Sequence, residues 1–156
     1  MDYFWLKLVH IVSSTLLFGT GLGTAFFFWR AVRLGEVSAI ATTARSVVVA
    51  DTWFTAPAVI VQPVTGALLV ERLGLPWSTP WLSVALALYV FAGLCWLPVV
   101  WIQLRLRDLA VQAAHGGAPL PALFRHYFRI WFALGWPAFI AVLLTFWLMV
   151  MKPVLW

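Results

Sequence analysis

The chain has 156 residues, of which 64% are hydrophobic and only 10% are charged, and its mean hydropathy is +0.99. A soluble domain could not bury so much apolar surface, so the composition excludes a soluble enzyme or binding domain. The net charge of +5 does not indicate a nucleic-acid partner. The basic residues lie at the ends of apolar runs, where they set membrane orientation and contact anionic lipid.

Four apolar runs are each long enough to cross a bilayer core, which takes about 20 helical residues. They cover residues 3–29, 47–70, 81–103 and 127–151. The sequence therefore predicts an all-α protein, a four-transmembrane-helix bundle that forms one integral membrane domain over residues 1–156. The segment 34–45 between the first two runs is predicted to be a short interfacial helix or an extension of the second span.

Basic residues are unevenly distributed between the two sides of this bundle. The links after the first and third runs, with their flanking turns, contain Arg30, Arg33, Arg45, Arg105, Arg107, Arg125 and Arg129. The opposite side contains only Lys7, Arg72 and Lys152. The positive-inside rule therefore predicts that both links face the cytoplasm and that the N and C termini lie on the outer, periplasmic side. We expect a multi-pass protein of the bacterial inner membrane that contacts the lipid bilayer and forms a homo-oligomer.

The first run, LKLVHIVSSTLLFGTGLGTAFFFW, carries a histidine about a turn and a half inside its start. An ionisable side chain at this depth needs a partner. His10 shares a helix face with Ser14, and two interpretations stay open. It links helices through a hydrogen bond to Ser14 or Gln62, or it binds haem iron as an axial ligand. Further along, Gly19 and Gly23 are spaced for close packing against another helix.

The second run carries Asp51, Gln62 and two internal prolines, Pro57 and Pro63. Each proline leaves the carbonyl four residues earlier without its helical donor, so a buried hydroxyl or a water must supply one. The prolines either shape the bundle by kinking this helix or open a cavity suited to a small transporter. We predict that Asp51 pairs with Arg129, because a lone buried charge would be costly. The alternative role for the arginines is to bind an anion or a propionate.

The third and fourth runs add few polar groups. A rise of about 1.5 Å per residue places His10, Gln62 and Met149 in one layer of the predicted outer half. His126 lies near the opposite side, so it cannot share an iron with His10. The single cysteine, Cys95, cannot form an internal disulfide. Because the chain has no glycine-rich phosphate loop, paired carboxylates or CxxC motif, no catalytic residue is identified.

Two family resemblances follow from these segments. YFWLKLVHIVSSTLLFG resembles the start of the HemJ-type protoporphyrinogen oxidases, whose first helix begins with a Trp-Leu-Lys-x-x-His motif and supplies a haem-ligating histidine. RHYFRIWFALGWPAFIAVLLTFWLMVMKP resembles that family's ending of Arg-x-Phe-Arg, proline and Lys-Pro. Over its full length the chain more closely resembles an uncharacterised bacterial family of small four-helix integral membrane proteins, through DTWFTAPAVIVQPVTGALLV and WFALGWPAFIAVLLTFWLMVMKP. The HemJ resemblance implies His10 as a haem ligand with Lys7 beside it.

The leading functional hypothesis is a membrane-embedded b-type haem-binding protein with a redox or haem-handling role. His10 would be the axial, metal-binding residue; Ser14, Gln62 or Met149 would complete or tune the iron environment, and Arg129 would meet a propionate. A redox role implies an electron-transfer partner and, if the chain is an enzyme, a HemJ-like membrane oxidoreductase. The alternative is a non-enzymatic accessory or structural membrane subunit without a cofactor.

Overall fold

The computed structural model describes residues 2–155, which contain four helices long and apolar enough to cross a membrane. The elements are α1 (Tyr3–Leu34), α2 (Val37–Ala50), a π-helical turn (Asp51–Thr55), α3 (Ala56–Arg72), α4 (Pro80–His115) and α5 (Ala122–Met151). The second span consists of α2, the π-helical turn and α3 without interruption. The predicted all-α architecture with four spans is confirmed, and α2 is the predicted extension of the second span.

The helices begin and end where the local sequence dictates. Helix α1 stops at Gly35, whose φ of 81° lies in the left-handed region, and the Gly35 amide bonds the Ala31 carbonyl at 3.2 Å. Pro80 is the first residue of α4, a position where its missing N–H costs nothing. Helix α5 ends before Lys152, which also has a positive φ of 44°. Pro153 follows and has no N–H with which to continue the helix.

Helix α4 continues well beyond residue 103, where its apolar run ends. The charged segment that follows keeps one apolar side, because Leu106, Ala110 and Ala113 recur at helical spacing and are buried. A prediction from hydropathy ends the span at the first arginines because it counts every charged residue. Arginines on the exposed side of a helix, however, do not interrupt the helix. The membrane-spanning helices are therefore longer than their apolar runs.

The two ends of the bundle differ in packing. We call the end with the α1–α2 and α4–α5 connections (residues 35–36 and 116–121) the linker end. Its core is aromatic: the Phe28 ring lies 5.6 Å from that of Phe128 and 5.3 Å from that of Trp131, between centroids. Phe28 and Phe124 have no exposed surface. This end is the best-packed part of the described chain.

The opposite end, which holds the start of α1, the α3–α4 turn and the end of α5, we call the terminal end. Here α1 packs with α3, and α4 packs with α5. Within residues 2–155, no Cα of α3 comes within 8 Å of α4 or α5. Helix α1 comes within 8 Å of α5 at a few positions, and side chains also bridge the two pairs; Phe18, for example, contacts Phe139 and Phe146 edge-on. We call this boundary between the α1–α3 pair and the α4–α5 pair the inter-pair crevice.

The carbonyl freed by Pro63 finds the kind of partner that the sequence predicts. The Tyr89 hydroxyl of α4 donates a hydrogen bond to the Val59 carbonyl at 2.6 Å. Pro57 follows the π-helical turn, in which the Ala56 amide bonds the carbonyl five residues earlier. The wider turn thus occurs next to the residue that cannot donate to the regular helical pattern.

Replacing Tyr89 by phenylalanine is expected to lower the free energy of unfolding by about 1 kcal/mol, because it leaves the partly buried Val59 carbonyl without its donor. In a Pro63→Ala background the new amide at position 63 can bond Val59, so the same Tyr89 change should cost less. The four proteins are the wild type, the two single variants and the double variant. Their denaturant unfolding in detergent, followed by circular dichroism, measures the stability lost on the Tyr89 change in each background. Equal costs in the two backgrounds would contradict this assignment.

Candidate functional site

The terminal half of the bundle contains a hydrogen-bonded histidine between α1 and α3. His10 Nδ1 lies 2.8 Å from the Thr65 hydroxyl oxygen, and His10 Nε2 lies 3.1 Å from the Gln62 side-chain nitrogen. The predicted proximity of His10 and Gln62 is confirmed. The bond between His10 and Ser14 is not formed, because the Ser14 hydroxyl donates to the Ile11 carbonyl of its own helix.

The donors and acceptors of this group define the state of the imidazole. The Thr65 hydroxyl donates to the Val61 carbonyl at 2.7 Å, so its oxygen accepts the proton of His10 Nδ1. The Gln62 side-chain carbonyl accepts from the Ser13 hydroxyl at 2.5 Å, so its amide group donates to His10 Nε2. With the Gln62 amide in this orientation, Nε2 carries the lone pair and the proton of the neutral ring is assigned to Nδ1. We call Ser13, Gln62, His10 and Thr65 the His10 cluster.

A glycine of α3 makes room for the ring. A Cβ atom added at Gly66 would lie 3.3 Å from His10 Cε1, tighter than nearly all real contacts of that kind. Gly66 thus allows the imidazole to lie directly against the α3 backbone.

For Gly19 and Gly23 the predicted close helix approach is wrong within this chain. An added Cβ at either position has no neighbour within 4 Å among the described residues, because this side of α1 is turned away from the other helices.

A cavity of about 30 Å³ lies beside the His10 cluster in the inter-pair crevice, with room for about one or two water molecules. It is lined by Ser14, Leu17, Gln62, Tyr89, Val142, Thr145 and Phe146. The structure thus brings Ser14 and Gln62 to the site of His10. Met149 is half-buried one turn further along α5 and does not line the cavity. Arg129 is exposed, about four turns from Thr145 on the same helix.

A second buried polar group joins the π-helical turn to α4 and α5. Asp51 accepts a bond of 2.8 Å from the Thr55 hydroxyl and one of 2.7 Å from the Gln103 side-chain amide. The Trp131 indole N–H donates to the Gln103 side-chain oxygen at 3.2 Å. Indole can only donate, so Trp131 fixes which end of the Gln103 amide faces Asp51. All four side chains are buried, and we call them the Asp51 cluster.

The predicted pairing of Asp51 with Arg129 is wrong. Within residues 2–155, the only ion pair joins Arg107 to Asp108, at 2.8 Å. Arg129 and Trp131 are two positions apart and therefore about 200° apart around α5. Since Trp131 faces Asp51's partner Gln103, Arg129 faces outward. Gln103 could have been identified from the sequence as a partner of Asp51, because it is an uncharged polar residue at the end of an apolar run.

Metal-ligating side chains are sparse in the described part of the chain. Among residues 2–155, no three or more His, Cys, Asp or Glu side chains form a group that could hold a metal ion. The other two histidines, His115 and His126, are exposed at the linker end. Within the residues described, His10 is thus the one histidine that belongs to a partly buried hydrogen-bond network.

Comparison with known proteins identifies a family for nearly the whole chain. Residues 4–153 match the family model for DUF2269, described as "Predicted integral membrane protein". No match was found among curated proteins or among solved structures. The description agrees with the four apolar helices, and a functional assignment depends on the geometry of the buried polar clusters.

Proposed function

The chain belongs to the DUF2269 family of predicted integral membrane proteins, and from the His10 cluster we propose that it is a b-type haem-binding membrane protein. The proposed role is redox or haem handling, with His10 as an axial ligand. The similarity of its first helix to the HemJ-type oxidases supports the same cofactor.

One observation carries this proposal. Histidines that ligate metals almost always donate their other ring N–H to a fixed acceptor, which sets the tautomer and the ring orientation. The bond from His10 Nδ1 to Thr65 has this form, and it leaves the lone pair on Nε2. That nitrogen faces Gln62, which also lines the cavity in the inter-pair crevice. In this tautomer Nε2 is the nitrogen with which His10 would bind iron.

The donor chemistry fits the cofactor, whereas the adjacent space is small. Pockets for small-molecule ligands usually measure about 300–1,000 Å³, against about 30 Å³ beside Gln62. Binding would therefore require Gln62 to release Nε2 and α3 to move away from the α4–α5 pair, neither of which, in the described chain, has a Cα within 8 Å of α3. The haem would supply one-electron redox chemistry. The chain's own residues would orient its ligand through Thr65 and control access through Gln62.

A specific observation favours the second function, an accessory or structural subunit without a cofactor. Both nitrogens of His10 have hydrogen-bond partners. No buried side-chain nitrogen or oxygen within residues 2–155 lacks a partner. A histidine satisfied in this way can hold two helices together without any ligand.

Absorption spectroscopy tests the haem proposal. For protein purified in mild detergent from cells with ample haem, we expect a b-type reduced-minus-oxidised difference spectrum and a positive pyridine haemochrome assay. His10→Ala should remove the Soret band, whereas His126→Ala should retain it, because His126 is exposed at the linker end. A colourless wild-type protein, or an unchanged Soret band in His10→Ala, would reject the proposal. In the colourless case, destabilisation by His10→Ala would support the accessory function.

A further inference from the structure

A second cavity lies between α4 and α5 at the linker end, away from the His10 cluster. Its volume is about 300 Å³, and it is lined by Trp101, Arg105, Asp108 and Gln112 of α4 and by Leu123 and Tyr127 of α5. The lining combines a cation, hydrogen-bonding groups and aromatic rings. Neither the haem proposal nor its alternative assigns a role to this cavity.

The charge of this cavity is positive. Arg107 donates two hydrogen bonds to the Asp108 carboxylate, from Nε at 2.9 Å and from one terminal nitrogen at 2.8 Å, so that carboxylate already has its counterion. Arg105 forms no ion pair and no side-chain hydrogen bond within the described chain. The charge of Arg105 is thus left for a ligand.

The aromatic groups hold that arginine in place. The Arg105 guanidinium lies 5.4 Å from the centre of the Trp101 ring, as a cation–π pair. Trp101 in turn packs edge-on against Tyr127, with centroids 5.8 Å apart. Tryptophan and tyrosine favour the level of the lipid headgroups. The Trp101–Tyr127 pair is therefore suited to the headgroup level, with Arg105 beside it.

The cavity is also amphipathic along its length. From Trp101 to Gln112, α4 rises about 16 Å, passing from a span residue to the polar segment beyond it. Trp101, at the deeper end of the cavity, is 50% exposed, so the apolar part of the cavity opens to the outside of the bundle rather than to its core. A soluble anion would use only the polar part of such a surface.

We propose that this cavity binds an anionic phospholipid. Arg105 contacts the lipid phosphate, Gln112 and the Tyr127 hydroxyl bond the headgroup, and the acyl chains run past Trp101. Basic pockets between transmembrane helices are known to take such headgroups. An arginine with free donors binds phosphate through paired, charge-assisted hydrogen bonds.

Native mass spectrometry of the full chain with added phosphatidylglycerol or phosphatidylcholine tests this proposal. We expect selective retention of phosphatidylglycerol, reduced about tenfold by Arg105→Gln and reduced about threefold by Arg105→Lys, which keeps the charge but loses the paired bonds. Arg33→Gln is the matched control, since Arg33 is an exposed arginine over Trp29 (6.0 Å) at the same end but outside the cavity. Its effect should stay within about twofold. The same measurements on His10→Ala should be unchanged, which separates this proposal from the haem proposal.

Three results would overturn it. Equal losses in Arg105→Gln and Arg33→Gln would mean that anionic lipid is attracted only by the general charge of this end. Equal retention of phosphatidylcholine would mean that the cavity is an apolar groove. Displacement of the lipid by millimolar inorganic phosphate would mean that a soluble phosphate is the ligand. Circular dichroism of each variant establishes that the helices are intact.

Discussion

Replacing Gln103 by leucine is expected to lower the free energy of unfolding in detergent by about 2–6 kcal/mol. The change removes the acceptor of the Trp131 indole N–H and the donor to Asp51 at the same time. Each buried polar group left without a partner costs about 1–3 kcal/mol, and a carboxylate more. Leucine is similar in size to glutamine, so lost packing contributes little to this effect.

Denaturant titration followed by circular dichroism, without added lipid, measures the loss. Gln112→Leu is the matched control on the same helix: Gln112 is exposed, and its replacement should change stability by no more than about 0.5 kcal/mol. A cycle with Asp51→Leu adds a second criterion. Because both residues share one hydrogen bond, the double variant should be more stable than the summed losses predict, by about 0.5–3 kcal/mol. Additive losses would show that the two side chains do not interact.

The Asp51 cluster also shows that the depth of a residue along its helix does not determine which side chains it contacts. Hydropathy and the rise per residue predicted the four spans and the common level of His10 and Gln62 correctly. They do not determine how each helix is rotated about its axis. Arg129 lies close to Trp131 in sequence, yet Trp131 points to Gln103 and Arg129 points outward.

Rotation also explains which serine joins the His10 cluster. Ser13 and Ser14 are both about one turn from His10, so spacing alone allows either as its neighbour. In the structure Ser13 is buried and bonds Gln62, while Ser14 caps a carbonyl of its own helix. Thr65 was missed because threonine is common in apolar helices as a donor to its own backbone, a bond that it also makes here. Its second role appears only when α1 is placed against α3.

Paired substitutions at the two ring nitrogens of His10 are expected to change haem affinity in opposite directions. Thr65→Val removes the acceptor of the Nδ1 proton while keeping the shape of the side chain. Loss of such a partner typically weakens metal binding about 10–100-fold, and Thr65→Ser should restore most of the affinity. Gln62→Leu removes the donor to Nε2. A ligand then no longer competes with a hydrogen bond worth about 1 kcal/mol, so affinity should rise about fivefold.

Haem titration of the apoprotein, monitored at the Soret band, measures both affinities, and thermal unfolding of the same samples measures apoprotein stability. Without haem, both variants should be less stable, because each leaves a polar atom of the cluster without its partner. The sign of the Gln62→Leu effect on affinity therefore separates ligand binding from packing. Weaker binding in both variants would mean that they act only by loosening α1 against α3. If Gln62→Leu binds haem more strongly although its apoprotein is less stable, a change in packing cannot be the cause. That result requires that Nε2 is the atom that binds the iron.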